Sequence, residues 1–242
     1  MIATFINCAL IILGSLLGIL LRNKISSRFI AIVTQGLSLC VLTIGISAAI
    51  GTENTLCVIV CMVLGTLIGE ALRIEDRLDN LGNFLKAKLI KEGSGNSQFT
   101  EGFVTASVLF CVGAMAVMGA IDAGINQNYS ILISKSVIDG VTAISFAAAM
   151  GVGVAFSAIP ILIYQGGLTL LAALVSGYLT PALVTEMSAV GGVIIIGIGI
   201  NMLGFGQKKV KVGNMLPAIF LPLLYLPAAQ WLTNILPTLF HG

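Results

Sequence analysis

Apolar stretches of about 20 residues follow one another along this chain with only short polar interruptions. A helix of that length is what is needed to cross roughly 30 Å of hydrocarbon. Only 9% of the residues are charged and 57% are hydrophobic, whereas a soluble domain is roughly a quarter charged. The sequence therefore predicts an all-α, polytopic transmembrane helical bundle whose first partner is the lipid bilayer.

Hydropathy divides these stretches into about eight predicted spans. They occupy residues 3–21, 29–50, 55–72, 100–121, 131–156, 159–179, 187–205 and 215–236. Because Pro160 restricts the residue before it, we place a tight turn at residues 157–160, between the fifth and sixth spans. We expect a single integral membrane domain over residues 1–242, with spans one to three in 3–72, spans four and five in 100–156, and spans six to eight in 159–236.

The distribution of lysine and arginine predicts the orientation of the chain. Cytoplasmic loops carry the excess of these two residues, and here they concentrate in the loops after spans one, three and seven. They are Arg22, Lys24 and Arg28, then Arg73, Arg77, Lys86, Lys88 and Lys91, then Lys208, Lys209 and Lys211. The opposite loops, around Glu53, Asp122 and Glu186, contain neither residue type. Both termini are therefore expected outside.

Residues 73–98, between spans three and four, contain a predicted cytoplasmic amphipathic helix and a linker. Apolar residues recur at helical spacing from Ile74 to Leu89, with charges at the positions between them. We expect this helix to lie on the cytoplasmic membrane face, and a solvent-exposed hairpin packed on neighbouring loops is the alternative. The glycine- and serine-containing segment 92–97 is expected to be a flexible linker.

Sliding the chain along itself so that Gly14 meets Gly166 indicates an internal repeat. In that register Ile44-Gly45-Ile46 meets Ile196-Gly197-Ile198, although apolar bias alone also produces some matches. Spans one to three would then be repeated by spans six to eight in the opposite direction, around a central hairpin of spans four and five. Inverted repeats of this kind are common among secondary transporters.

Lys135 and Asp139 form the most informative pair of residues in the sequence. Their four-residue spacing places them on one face of a helix, inside the apolar span 131–156. At 1.5 Å per residue, Asp139 lies on the order of 12 Å into that span. Ionised side chains in hydrocarbon are unfavourable unless they pair or face water. The pair is therefore either a substrate or ion site, or a permanent ion pair that fixes helix packing.

Other polar residues of the spans are candidates for the same site. Thr142 continues the polar stripe of Lys135 and Asp139 at helical spacing. The remaining substrate- or ion-binding candidates come from spans four, six and seven: Glu101, Thr105, Gln165, Thr169 and Asn201. Polar side chains between helices also serve packing alone, so each of them has a structural alternative.

The sequence argues against several classes of chemistry. His241 is the only histidine, so a histidine-based catalytic triad or zinc site is not expected in one chain. The five cysteines lie in apolar segments without neighbouring metal ligands. No basic patch with interleaved aromatic residues indicates nucleic acid. We expect a protein that is not an enzyme, with no cofactor, no metal and no nucleic-acid partner.

Small residues and prolines add two structural expectations. Gly14–Gly18 and Gly65–Gly69 are small-xxx-small motifs, which allow helix backbones to approach closely. We expect them to pack within the protomer, and a homo-oligomer stays open. Pro217, Pro222 and Pro227 interrupt the last predicted span, and such broken helices are used for ion sites in transporters.

Three central segments resemble the YqgA-like bacterial membrane proteins, the family called domain of unknown function 554. They are FTEGFVTASVLFCVG at 99–113, KSVIDG at 135–140 and IYQGGLTLLA at 163–172. The segments 13–18 and 69–78 fit the family as well, whereas Ala114 replaces a proline that the family often has. The resemblance implies a prokaryotic inner-membrane protein of a kind described as a transporter, with no assigned substrate.

Two functions follow from these observations. The first is a secondary transporter or channel for a small solute or ion, in which the Lys135–Asp139 pair takes part. The second is a non-transporting scaffold or regulator, in which the amphipathic segment contacts a partner and the ion pair only stabilises the fold.

Overall fold

The protein, described here from a computed structural model, is an α-helical bundle. The structure describes residues 1–22, 26–78, 80, 96–112, 114–175, 177, 179–205 and 208–240, and all regular structure in these residues is helical. The helices are α1 (Ile2–Arg22), α2 (Ser27–Ala49), α3 (Thr55–Ala71), α4 (Asn96–Cys111), α5 (Ala114–Ile125), α6 (Ser130–Met150), α7 (Gly153–Phe156), α8 (Ala158–Leu170), α9 (Ala172–Val175), α10 (Pro181–Leu203), the 3₁₀ helix η1 (Val212–Phe220) and α11 (Pro222–Phe240).

Between five and seven segments of the described chain are long and apolar enough to cross a membrane. Five are continuous helices: Ile2–Arg22, Arg28–Ala49, Ser130–Met150, Gly153–Leu170 and Pro181–Leu203. Two more are helix pairs bent by 58° and 43°, namely Phe99–Cys111 with Met115–Ile125, and Val212–Phe220 with Pro222–Trp231. The predicted all-α membrane bundle is confirmed, and the number of eight spans stays a prediction, with α3 apolar but only 17 residues long.

The turn between α6 and α7 lies at Gly151, earlier in the chain than the predicted turn at residues 157–160. Gly151 has a φ of 84°, a left-handed conformation that glycine adopts without steric strain. Helix α6 ends at Met150, and residues 153–170 continue together as one apolar span. Pro160 is tolerated there because it lies in the first turn of α8, where its missing N–H is not needed. The predicted turn was therefore wrong.

Glycines allow α1 and α6 to pack with their backbones in contact. A Cβ atom at Gly14 would collide with the carbonyl oxygen of Gly140, and one at Gly18 would collide with that of Ile144. These contacts advance in the same direction along both helices, so α1 and α6 run parallel. The close approach brings the N-terminal halves of the two helices together, where Asn7 and Asp139 lie.

Two other close pairs are antiparallel. Helix α2 crosses α10 where Gly45 meets the backbone of Gly192 and Ile196, and α3 crosses η1 where Gly65 meets Ala218. The two small-xxx-small motifs, at Gly14 and at Gly65, are therefore used inside the protomer, as predicted. Much of the outer surface of α1, α2 and α3 consists of exposed leucine, isoleucine and phenylalanine side chains, as expected of helices that face lipid.

Hydrogen bonds join η1 to the C-terminal end of α3 and to the residues that follow it. Glu75, in a helical segment at residues 74–78, accepts a hydrogen bond from the Gly213 N–H at 2.6 Å. The buried Asn214 accepts from the Glu75 N–H at 2.7 Å and donates to Glu70 Oε2 at 2.6 Å. The rest of the predicted amphipathic helix, including Leu81, Leu85 and Leu89, lies outside the described residues.

Candidate functional site

Lys135 and Asp139 form a buried ion pair in α6. Lys135 Nζ donates to Asp139 Oδ2 across one helical turn, and each residue is 6% exposed. The helix presents both side chains to the protein interior because residues one turn apart share a face, while Val137, Ile138 and Val141 on the other face are exposed. The pair predicted from the sequence is therefore formed, and it is enclosed by protein.

Asn7 on α1 connects this ion pair to a third helix. Its Nδ2 donates to Asp139 Oδ2 at 3.0 Å and to Gln165 Oε1, on α8, at 3.1 Å. Gln165 Nε2 donates in turn to Thr4 Oγ1 on α1 at 3.3 Å. We call these five residues, Lys135, Asp139, Asn7, Gln165 and Thr4, the polar network. It joins α1, α6 and α8 in the apolar interior.

One acceptor of the polar network has no donor. Asn7 Oδ1 is buried and makes no hydrogen bond in the described structure. The orientation of the amide follows from its neighbours, because Nδ2 faces two acceptor oxygens and exchanging the two atoms would place oxygen against oxygen. A buried unsatisfied acceptor is unfavourable by roughly 1–3 kcal/mol, and a bound water or ion is one of the explanations for such a group.

A cavity of about 220 Å³ lies between α4, α8 and η1. Its wall is mostly apolar, with Phe103, Val108, Leu216 and Phe220 among its residues. Both bent helix pairs contribute to it, because α4 ends at Cys111 beside one bend and η1 ends at Phe220 beside the other.

The other predicted site residues are divided between this region and the end of the bundle where Lys209 lies. Thr169 is buried and donates to the backbone oxygen of Gln165 at 2.8 Å. Thr142 is half-buried on α6, and Thr105 is buried on α4. Glu101 instead pairs with Lys209 at 2.7 Å, in an ion pair whose lysine is exposed. Glu101 therefore does not reach the polar network.

Asn201 is also outside the polar network. Its side chain forms two hydrogen bonds of 2.8 Å with the backbone N–H and C=O of Val210. Val210 lies between α10 and η1 outside regular secondary structure, so its backbone groups need other partners, and Asn201 supplies them. Asn201 thus has a local structural role that its position in the sequence did not indicate.

Asn7 and Thr4 are members of the network that the sequence analysis missed. Their signal was present: both are polar residues in an apolar span, and their spacing of one helical turn places them on one face. The sequence around Thr4 and Asn7 does not indicate which helix that face contacts, because the contact depends on the glycine packing of α1 against α6. Among the described residues, no group of three or more histidine, cysteine, aspartate or glutamate side chains is placed to hold a metal ion.

Comparisons with known proteins place the chain in a family. The family profile described as "Protein of unknown function (DUF554)" matches residues 2–226. "Uncharacterized protein YqgA" of Escherichia coli (strain K12) is 34% identical over 224 residues, which cover 91% of this chain and 94% of that protein. "Uncharacterized membrane protein YdfK" of Bacillus subtilis (strain 168) is 30% identical over 227 residues, which cover 92% and 94%. No solved structure matches the chain. The chain therefore belongs to the DUF554 family of membrane proteins.

Proposed function

We propose that this protein is a non-enzymatic secondary transporter or channel, which moves a small solute or ion across the prokaryotic inner membrane. The observation that carries the proposal is the buried Lys135–Asp139 pair. Both partners of the Asp139 carboxylate, Lys135 and Asn7, are side chains, and they come from two different helices. Ionisable residues inside a membrane bundle commonly mark ion or substrate pathways.

Energetics favour a functional over a merely structural pair. Replacing a buried ion pair by apolar residues of similar volume is often neutral or stabilising. A chain that needed only helix packing at this position would therefore be served as well by leucine or methionine. Two of the candidate spans are in addition bent helix pairs, and broken helices are a recurrent feature of transporters.

The helix crossings support the proposed inverted repeat. Inverted repeats are related by a two-fold axis in the membrane plane, so a span that meets its own equivalent crosses it antiparallel and at equivalent residues. The antiparallel pairs α1–α8, α2–α10 and α3–η1 each meet near residues that the Gly14-to-Gly166 register makes equivalent. The contacts are Cys8 with Ala158, Gly45 with Ile196, and Gly65 with Ala218.

The lysine-bearing loops support the proposed orientation. Lys209 pairs with Glu101, at the start of α4, and Lys211 pairs with Glu70, at the end of α3. These contacts gather the loops after the third and seventh predicted spans at one end of the bundle. By the excess of lysine and arginine, that end is the cytoplasmic one, which leaves both termini outside.

Flux through reconstituted protein tests the proposal. Proteoliposomes are challenged with a panel of Na⁺, K⁺ and NH₄⁺ salts, organic acids and amino acids, and uptake is compared with that of empty liposomes. Proteoliposomes with wild-type protein should take up at least one of these probes faster than empty liposomes do. Asp139→Asn should remove most of that acceleration, because the neutral amide no longer exchanges a cation.

Asp122→Asn is the matched control, because Asp122 makes only a local contact with Asn126 on an exposed part of α5. It should keep the wild-type rate. Equal flux in wild type and Asp139→Asn for every probe contradicts the role of the pair. It favours the alternative, a non-transporting scaffold in which the pair stabilises the fold.

A further inference from the structure

We infer that the polar network is a binding site for Na⁺, and that the Lys135 ammonium occupies the position of the cation in this conformation. The inference rests on the proposed transport function and adds the coupling ion to it. The Na⁺ ion and the ammonium would compete for the same carboxylate, that of Asp139.

The oxygen atoms of the network are those that a small hard cation selects. Hard cations bind carboxylate, amide and hydroxyl oxygens, and the network offers one carboxylate from Asp139, amide oxygens from Asn7 and Gln165, and the hydroxyl of Thr4. A single carboxylate among neutral ligands balances one positive charge. The site therefore fits a monovalent ion better than a divalent one.

Asn7 is the residue that points to a ligand. It is fully buried, its Nδ2 is committed to Asp139 and Gln165, and its Oδ1 accepts no hydrogen bond. Because both oxygen partners lie on one side, the carbonyl end of the amide is fixed toward the other. A buried oxygen held in this way, on the residue that also contacts Asp139, is a preformed cation ligand.

Charge balance makes the binding an exchange. With Lys135 on Asp139 the network is neutral, and adding Na⁺ would leave an unpaired positive charge in the membrane interior, which is strongly unfavourable. The ion can therefore enter only as the ammonium leaves. Lys135 is one turn closer to the N-terminal end of α6 than Asp139, and a lysine side chain is long enough to withdraw toward a membrane surface.

Sodium binding to purified protein in detergent tests the inference without any flux. ²²Na⁺ binding is measured by equilibrium dialysis, and thermal unfolding is followed in NaCl, KCl and N-methylglucamine chloride at constant ionic strength. Lys135→Met removes the competing charge and should bind Na⁺ about tenfold or more tightly than wild type, within the range of coupled sites. Lys135→Gln provides a second variant in case the first fails to fold.

The remaining variants identify the ligands. Adding Asp139→Asn to Lys135→Met should abolish Na⁺ binding, and adding Asn7→Val should weaken it about tenfold or more. Lys209→Met, which removes a lysine from an exposed ion pair, should leave binding at the wild-type level. Size-exclusion profiles establish that each compared variant is folded.

Three results would overturn the inference. They are the absence of Na⁺ binding in wild type and in every folded Lys135 variant, equal stabilisation by all three salts, and stabilisation of Lys135→Met by acid with no response to Na⁺. The last result would assign a proton instead. Flux of a probe without Na⁺ binding would refute the Na⁺ site but keep the transport proposal. Na⁺ binding without flux of any probe would support the Na⁺ site but contradict the transport proposal.

Discussion

Asp139 and Glu186 are both buried carboxylates, but the protein holds them in different ways. Glu186, at the start of α10, accepts hydrogen bonds from the backbone N–H groups of Glu53 and Asn54 at 2.8 and 3.0 Å, and from Thr52 Oγ1 at 2.6 Å. Asp139 is held by the side chains of Lys135 and Asn7. One carboxylate is thus held mainly by a loop backbone, and the other by two side chains.

The difference separates a backbone-held anchor from the carboxylate at which we propose exchange. Backbone donors cannot leave Glu186 without refolding the connection between α2 and α3, so that carboxylate fixes the connection to α10. The Lys135 ammonium, by contrast, reaches Asp139 on a long flexible side chain, whose rotation requires no change in the helices. Burial alone therefore does not distinguish the two carboxylates, whereas the type of donor, side chain or loop backbone, does.

The largest expected effect comes from leaving Asp139 without its cation. Lys135→Met in sodium-free buffer should lower the free energy of unfolding by about 3–5 kcal/mol, because an uncompensated carboxylate stays buried. Denaturant titration in detergent micelles measures the change. The double variant Lys135→Met/Asp139→Asn should recover much of the loss, and a double variant as unstable as the single one would contradict this explanation.

An intermediate effect is expected at the anchor. Glu186→Gln keeps one acceptor oxygen but turns an amide N–H₂ toward donors of the loop, which should lower the free energy of unfolding by roughly 1–3 kcal/mol. Flux per folded molecule should stay at the wild-type level, since Glu186 has no part in exchange. The same titration and the proteoliposome assay measure the two quantities. A loss of flux without a loss of stability would show that the two carboxylates are not as different as their donors indicate.

The smallest effect is expected at the exposed ion pair. Lys209→Met removes the partner of Glu101, but the lysine is 64% exposed, and exposed pairs contribute at most about 1 kcal/mol. The free energy of unfolding should therefore change less in Lys209→Met than in Lys135→Met or Glu186→Gln. Titration at low and high salt checks this, because any remaining contribution should disappear as salt screens the charges. A change as large as that of Lys135→Met would contradict the comparison.

Properties that depend on local pattern could be predicted from the sequence. The helical membrane fold follows from the length of the apolar stretches, and the Lys135–Asp139 contact follows from their spacing within one helix. The membership of Gln165 in the same site was predicted, but only as one of several candidate polar residues. Glu101 and Asn201 were indistinguishable from Gln165 at that level.

Properties that depend on packing could not be predicted in this way. Asn7 reaches Asp139 only because Gly14 and Gly140 let two helices touch that are far apart in the sequence. The turn at Gly151 was missed because Pro160 was taken as a helix breaker, although proline is compatible with a first helical turn. Glu186 was expected to mark a loop, and its burial became visible only once α10 was packed against the connection from α2 to α3.

The glycine contact between α1 and α6 also divides the polar network into two unequal parts. With no side chain between their backbones, these two helices pack closely against each other, and together they carry Thr4, Asn7, Lys135 and Asp139. Gln165 lies on α8, which reaches the network through the side chains of Asn7 and Thr4. A movement of α8 relative to α1 and α6 would therefore separate Gln165 from Asn7 and Thr4. The hydrogen bond between Asn7 and Asp139 would stay intact, because it joins α1 to α6.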